Sequence, residues 1–173
     1  MLGKFGKGCT ENLLSSNTIL VGTLGKAFGT FGAFVAAKCE IIEWLIQRAH
    51  SYIYTTALPP AIAEASRTSL NLINTEAWRR NKLQDLIKYF RQCCCETNIQ
   101  LSDSSTPIQP IILGNSEYAL TISEKLLNAG ILVPAIRPPT VKENTARLRI
   151  SLCAEHTKAH IEQLVVVLEQ SLK

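Results

Sequence analysis

The sequence predicts an α/β protein in two parts. Two observations carry that reading. From residue 108 onward the pattern runs strand, helix, strand, strand, helix, which makes a compact small α/β domain. Ahead of it, two short apolar runs flank a glycine-rich bend and are followed by helical stretches. The boundary is placed near residue 76, giving parts 1–75 and 76–173.

Composition supports a folded chain. With 173 residues, 46% hydrophobic and 18% charged, there is enough apolar surface for a real core and no signature of disorder. The net charge of +4 is spread without a basic run, which argues against nucleic-acid binding. No apolar stretch is long enough to span a membrane, and no signal-peptide pattern follows Met1. The six cysteines form no CxxC pair and no zinc-type spacing with histidine. Three are adjacent (Cys93, Cys94, Cys95), and reduced thiols in a cytoplasmic protein are the expectation.

Taken in order, residues 1–16 carry Gly3, Gly6, Gly8 and Cys9-Thr10-Glu11-Asn12 and read as a loop with no core of its own. A glycine-rich loop normally joins packed elements, so the chain reads as if it begins in the middle of a larger unit. Thr18-Ile19-Leu20-Val21 reads as a buried strand and Ala33-Phe34-Val35-Ala36-Ala37 as a second. Between them lies Thr23-Leu24-Gly25-Lys26-Ala27-Phe28-Gly29-Thr30-Phe31-Gly32. Gly25, Gly29 and Gly32 permit unusual backbone angles and close approach of a planar ligand. Lys26 sits among small and apolar neighbours. Desolvation there would free a neutral amine for Schiff-base chemistry. A lysine in a glycine turn is ordinarily a solvated charge, so the pattern alone does not decide the matter. It is no phosphate-binding P-loop, because Ala27 follows the lysine where Ser or Thr is needed.

Residues 39–50 carry a helical stripe of Ile41, Ile42, Leu45 and Ile46. Residues 51–58 read as extended, and Pro59-Pro60 open a helix over 61–73. A long helix over 76–94 places Leu83, Leu86, Ile87, Phe90 and Cys94 on one face. After a polar turn region, 108–113 is a strand in which Pro110 suggests an edge or bulge. Residues 116–129 form a helix ended by Gly130. Residues 131–136 are a strand, and Arg137-Pro138-Pro139-Thr140 a stiff extended loop. Residues 146–152 alternate cleanly, with Ala146, Leu148, Ile150 and Leu152 on one side and Arg147, Arg149 and Ser151 on the other. A closing helix over 161–172 buries Ile161, Leu164, Val165 and Leu168.

Four segments then resemble one family in order: Gly22-Thr23-Leu24-Gly25-Lys26-Ala27-Phe28-Gly29, Tyr54-Thr55-Thr56-Ala57-Leu58-Pro59-Pro60, Ile108-Gln109-Pro110-Ile111 and Thr145-Ala146-Arg147-Leu148-Arg149-Ile150. The family is the α-oxoamine synthases, pyridoxal-phosphate enzymes of fold type I. The resemblance implies an α/β chain made of a remnant of the fold type I PLP-transferase large domain (1–75) plus a small C-terminal α/β domain (76–173). It implies pyridoxal 5'-phosphate as cofactor and a homodimer. Lys26 matches the lysine that holds the cofactor and later moves the α-proton. Thr23 matches a phosphate-binding threonine, and Thr55 and Thr56 a segment that reaches the phosphate in the partner subunit. Arg149 matches the arginine that holds the amino-acid carboxylate, whereas Arg147 on the same face reads first as a solvated charge. Thr140 lies in the loop expected near the acyl substrate. His50, His156 and His160 have no motif behind them and read as surface or capping residues.

Ala135-Ile136-Arg137-Pro138-Pro139-Thr140 resembles the biotin-pathway branch, which joins L-alanine to pimeloyl-CoA or a pimeloyl carrier-protein ester with loss of CO2. The open alternatives are a glycine-using relative, such as 2-amino-3-ketobutyrate CoA ligase, and a truncated, non-catalytic α/β interaction domain. The family pattern also has an Asp-x-x-His-Gly segment just before the position of Met1-Leu2-Gly3. Its aspartate pairs with the pyridine nitrogen, and this chain holds neither that segment nor most of the large domain's sheet.

Overall fold

The structure is a computed structural model describing residues 3, 5–11, 15 and 17–172. Part of the expected loop over 1–16 therefore lies outside the described residues. The chain divides into two compact units, Met1–Arg80 and Asn81–Lys173.

In the first unit, a 3-10 turn at Gly8–Thr10 precedes strands β1 (Leu20–Thr23) and β2 (Ala33–Ala36). They pair antiparallel, with Leu20 opposite Ala36 and Thr23 opposite Ala33. Gly22 lies opposite Phe34, and a Cβ at Gly22 would sit 2.6 Å from that ring, so only glycine lets the ring lie across the strand. Helices α1 (Cys39–Arg48), α2 (His50–Ile53) and α3 (Pro60–Thr75) follow. Glu40 in the first turn and Arg48 in the last complement the dipole of α1. Pro60 opens α3, where its missing N–H costs nothing.

Two expectations fail in this unit. The strand beginning near Thr18 is not buried: Ile19 is 53% and Val21 67% exposed. Among the described residues its sheet has two strands, and up to Arg80 only Gly6 is buried. The segment 51–58 is also not extended throughout. Residues 51–53 belong to α2, closed by Ile53 N–H to Ala49 O at 2.9 Å and Tyr54 N–H to His50 O at 3.3 Å. With no strand alongside to accept them, these N–H groups take the local helical acceptors.

The second unit holds the core. Helix α4 (Ala77–Glu96) begins in the first unit and runs through the second. It is followed by β3 (Ile108–Gly114), α5 (Ser116–Asn128), β4 (Ala135–Ile136), β5 (Ala146–Ser151) and α6 (Lys158–Leu172). The sheet is antiparallel in the order β3-β5-β4. Leu86, Ile87, Phe90 and Cys94 of α4 join Ile122 and Leu126 of α5, Leu148 and Ile150 of β5, and Ile161, Leu164, Val165 and Leu168 of α6 in one buried cluster. Burial along β5 alternates as its sequence requires, which leaves Arg147 and Arg149 on the face away from this cluster.

Pro110 sits on edge strand β3, where its missing N–H breaks no ladder, and an irregularity follows between Ile112 and Gly114. Helix α5 is capped by Asn115, whose Oδ1 accepts from Tyr118 N–H at 2.9 Å. It ends on Gly130 at φ +79°, with Ile131 N–H bonded to Leu126 O and Gly130 N–H to Leu127 O. Strand β4 is shorter than the expected 131–136. Pro134 has no N–H to give, and its carbonyl instead accepts from Arg149 N–H at 3.0 Å. The loop after β4, expected to be extended, is instead a tight turn, with Thr140 N–H bonded to Arg137 O at 3.1 Å.

Candidate active site

Lys26 lies in the loop that joins β1 to β2. Three main-chain bonds shape this loop: Leu24 N–H to Gly32 O at 2.8 Å, Thr30 N–H to Leu24 O at 3.0 Å, and Gly29 N–H to Lys26 O at 2.9 Å. The last closes a turn with Lys26 as its first residue. Gly29 (φ +65°) and Gly32 (φ +104°) use the left-handed region, and at Gly32 a Cβ would fall 2.8 Å from Leu58 Cδ1. Gly25 does not share that need. Its φ is ordinary and an added Cβ would meet only Thr30 O at 3.7 Å.

The expectation of a desolvated lysine is corrected: Lys26 is exposed. The strands it joins are not buried either: among the described residues up to Arg80 only Gly6 is buried. The amine is consequently accessible, and among the described residues it has no hydrogen bond or ion pair.

Thr23 ends β1, three residues before Lys26, and is exposed. Thr55 and Thr56 follow α2 and are also exposed. The Thr55 hydroxyl donates to Ser51 O at 2.7 Å, so it can only accept from a further group. These four residues belong to the first unit. Arg149 and Thr140 belong to the second, with Arg149 on the open face of β5 and Thr140 in the turn after β4, both exposed. The two neighbouring arginines differ. Arg147 Nε donates to Thr145 O at 3.0 Å and is half-buried, whereas the Arg149 guanidinium has no partner among the described residues.

The histidines act locally. His156 Nδ1 accepts from Cys153 N–H at 3.2 Å and His160 Nδ1 from Thr157 N–H at 3.4 Å, just ahead of and within the first turn of α6. Burial first, and then the neighbouring His160, hold His156 below the usual imidazole range. The His50 ring meets Tyr54 edge-on at 5.7 Å.

Two features carry no motif and escape a reading of the sequence. The Ser69 hydroxyl donates to Phe28 O at 2.8 Å, and Ser66 Oγ lies 2.9 Å from Thr30 Oγ1, so α3 touches the lysine loop twice. Their only sequence trace is two hydroxyls three apart on an alanine-rich helix. In the second unit, Gln109 is fully buried and fully bonded. Its Oε1 accepts from Arg91 at 2.9 Å and its Nε2 donates to Ser104 O and Thr106 O at 2.9 and 2.7 Å.

Among the described residues no group of three or more His, Cys, Asp or Glu could hold a metal ion, and no helix is long and apolar enough to cross a membrane. Comparison with known proteins adds the lineage. The chain is 53% identical over 175 residues to an 8-amino-7-oxononanoate synthase of Saccharophagus degradans, covering 99% of this chain and 44% of that protein. It is likewise 53% identical to one from Nitrosococcus oceani, covering 99% of this chain and 46% of the relative. The chain thus spans about half the length of the curated relatives it matches. Among solved structures, an 8-amino-7-oxononanoate synthase from Francisella tularensis matches with TM-score 0.83 and 36% identity, over 99% of this chain and 51% of that one. A serine palmitoyltransferase from S. paucimobilis, solved with a bound PLP–myriocin aldimine, matches with TM-score 0.81 and 28% identity, over 88% of this chain and 39% of that one. The aminotransferase class I and II profile matches residues 10–168. A profile match that runs through both units shows that this chain belongs to the aminotransferase class I and II family.

Proposed function

We propose that this chain supplies the cofactor lysine and the carboxylate-binding arginine of a pyridoxal-phosphate-dependent acyltransferase. The reaction converts L-alanine and pimeloyl-CoA (or a pimeloyl carrier-protein ester) to 8-amino-7-oxononanoate, CO2 and the free thiol, a step of biotin synthesis. Residues 1–75 are the C-terminal part of the large domain and 76–173 the small domain. The observation that carries the reading is Lys26 on its glycine turn, in a chain about half identical throughout to proteins bearing that synthase name.

The donor set suits the cofactor. A primary amine without a partner can meet an aldehyde, and the exposed hydroxyls of Thr23 and, toward a second copy, Thr56 can donate to a phosphate, whereas Thr55 can do so only by giving up its bond to Ser51 O. The loop side is open as well: an added Cβ at Gly29 would meet nothing within 4 Å. When bound, pyridoxal phosphate supplies an aldehyde for primary amines and an electron-accepting ring. Lys26 then holds the cofactor, and its freed amine takes the proton from the α-carbon of alanine and later returns one. Arg149 grips the alanine carboxylate through its planar fork and sets the angle of the α-carbon. Thr55 and Thr56 reach the phosphate held by a second copy of the chain, and Thr140 borders the acyl substrate. The exposed apolar side chains of the first unit, among them Val21, Phe31, Trp44 and Tyr54, are surface that a larger domain and a second copy would bury.

The test is a chimera in which residues 1–173 replace the matching C-terminal part of the Saccharophagus degradans relative. CoA release is measured with alanine and with glycine. Alanine-dependent release is expected, falling at least roughly 100-fold in Lys26→Ala, the low end of what a positioned proton carrier supplies. Arg149→Ala should raise KM for alanine roughly 10- to 100-fold, as loss of a charge-assisted carboxylate contact implies. A folded chimera that prefers glycine would point to a glycine-using relative. A folded but inactive one would favour the non-catalytic interaction domain.

A further inference from the structure

We propose that Ser66 and Ser69 of α3 are positioning residues that hold the turn carrying Lys26. The inference rests on the reading that Lys26 meets the cofactor, and it goes beyond that reading by naming what fixes the lysine in place. The turn closes through Gly29 N–H to Lys26 O, so Phe28 lies within it and Thr30 just past its end. Those are the two residues that α3 grips. Ser69 Oγ donates to Phe28 O at 2.8 Å, and Ser66 Oγ stands 2.9 Å from Thr30 Oγ1. The serines are three residues apart and so share one face of the helix.

Donor counting orders the chain of bonds. Ser66 has one hydroxyl proton, and at 2.8 Å its acceptor is Ile62 O. Thr30 can give its single hydroxyl proton to Ser66 Oγ at 2.9 Å or to Leu24 O at 3.3 Å, and the shorter contact assigns it to Ser66. The Thr30 main chain is itself bonded to the entry side of the loop, through Thr30 N–H to Leu24 O at 3.0 Å. Thr30 thus ties the entry and exit of the lysine loop to one helix.

Packing does not do this job. Among the described residues of the first unit only Gly6 is buried, so the loop has no core to lie on. An exposed loop without such anchors opens locally at little cost. A lysine that must reach one atom of a bound aldehyde, and later one α-carbon, needs its main chain fixed to a fraction of an ångström. Hydroxyl anchors from a neighbouring helix supply that restraint while leaving the amine accessible.

The test uses the 173-residue chain. Hydrogen exchange is followed by mass spectrometry for peptides covering 24–32, in the native protein, in Ser66→Ala/Ser69→Ala and in Ser66→Thr/Ser69→Thr. In parallel, each protein is mixed with pyridoxal phosphate and reduced with borohydride, and modification at Lys26 is compared with that at the other lysines. Loop amides of the alanine variant should exchange roughly 10-fold faster, since two hydrogen bonds are lost. Peptides from 108–114 and 146–151 should not change. Capture at Lys26 relative to other lysines should fall at least about threefold. The threonine variant, which keeps both hydroxyls, should restore both readouts. Unchanged loop exchange in the alanine variant would overturn the proposal, and so would faster exchange with undiminished selectivity for Lys26. Failure of the native chain to modify Lys26 selectively would instead count against the cofactor role of Lys26, with the exchange data alone then deciding whether the serines hold the turn.

Discussion

At Cys94, burial pushes the thiol up to about 12, with the neighbouring Cys93 adding to the effect. Its neighbours are placed differently: Cys93 is half-buried and Cys95 exposed. Successive helix residues point about 100° apart, so three adjacent cysteines cannot share one face. Only the thiolate is nucleophilic. Iodoacetamide at pH 8 should therefore modify Cys95 readily and Cys94 only after unfolding, as peptide mapping would reveal. Equal rates at the two positions would contradict this packing. The inward face was legible in the spacing of Leu86, Ile87, Phe90 and Cys94. The state of Lys26 was not. Small and apolar neighbours in sequence suggest a dry site, but burial depends on what lies across the strand pair, and local composition carries no record of that. The same limit applies to Arg147 and Arg149. Alternation puts both on one face, yet only the fold reveals that Arg147 is engaged with Thr145.

Among the elements, α4 and β5 were read correctly because each carries a strong period and a one-sided environment. Their apolar positions meet in one cluster around Phe90, which is fully buried. Phe90→Ala should lower the unfolding free energy of the second unit by about 3–5 kcal/mol in urea titrations followed by circular dichroism. Val166→Ala, on the exposed side of α6, should stay within about 0.5 kcal/mol. A loss below about 1 kcal/mol for Phe90→Ala would mean that the cluster is not the core. Helix α2 escaped the sequence reading for a definable reason. Tyr52, Ile53, Tyr54 and Thr55 are strand-favouring types, but that preference reflects packing on a pleated sheet, and among the described residues no strand pairs with this segment. Strand β4 was overextended because Ile131, Leu132 and Val133 look like strand residues, while the decisive feature is the missing N–H of Pro134.

Over the whole molecule, apolar burial is unevenly shared. The second unit carries the buried cluster, whereas α1, α2 and α3 of the first contain no buried residue. That contrast is what the proposal of a first unit belonging to a larger domain requires, and the chain spans about half the length of the curated relatives it matches. Family membership was legible from four short segments in order, since each gains meaning from the others. The division into two compact units falls within α4. What joins these levels is one chemical claim, that the amine of Lys26 is the group that takes the cofactor. The most direct measurement is to mix the chain with pyridoxal phosphate, reduce with borohydride, and map the modified lysines by mass spectrometry, with Lys26→Ala as control. The account predicts a pyridoxyl adduct concentrated at Lys26 and absent from the control. Adducts scattered over the surface lysines, unchanged by Lys26→Ala, would contradict it.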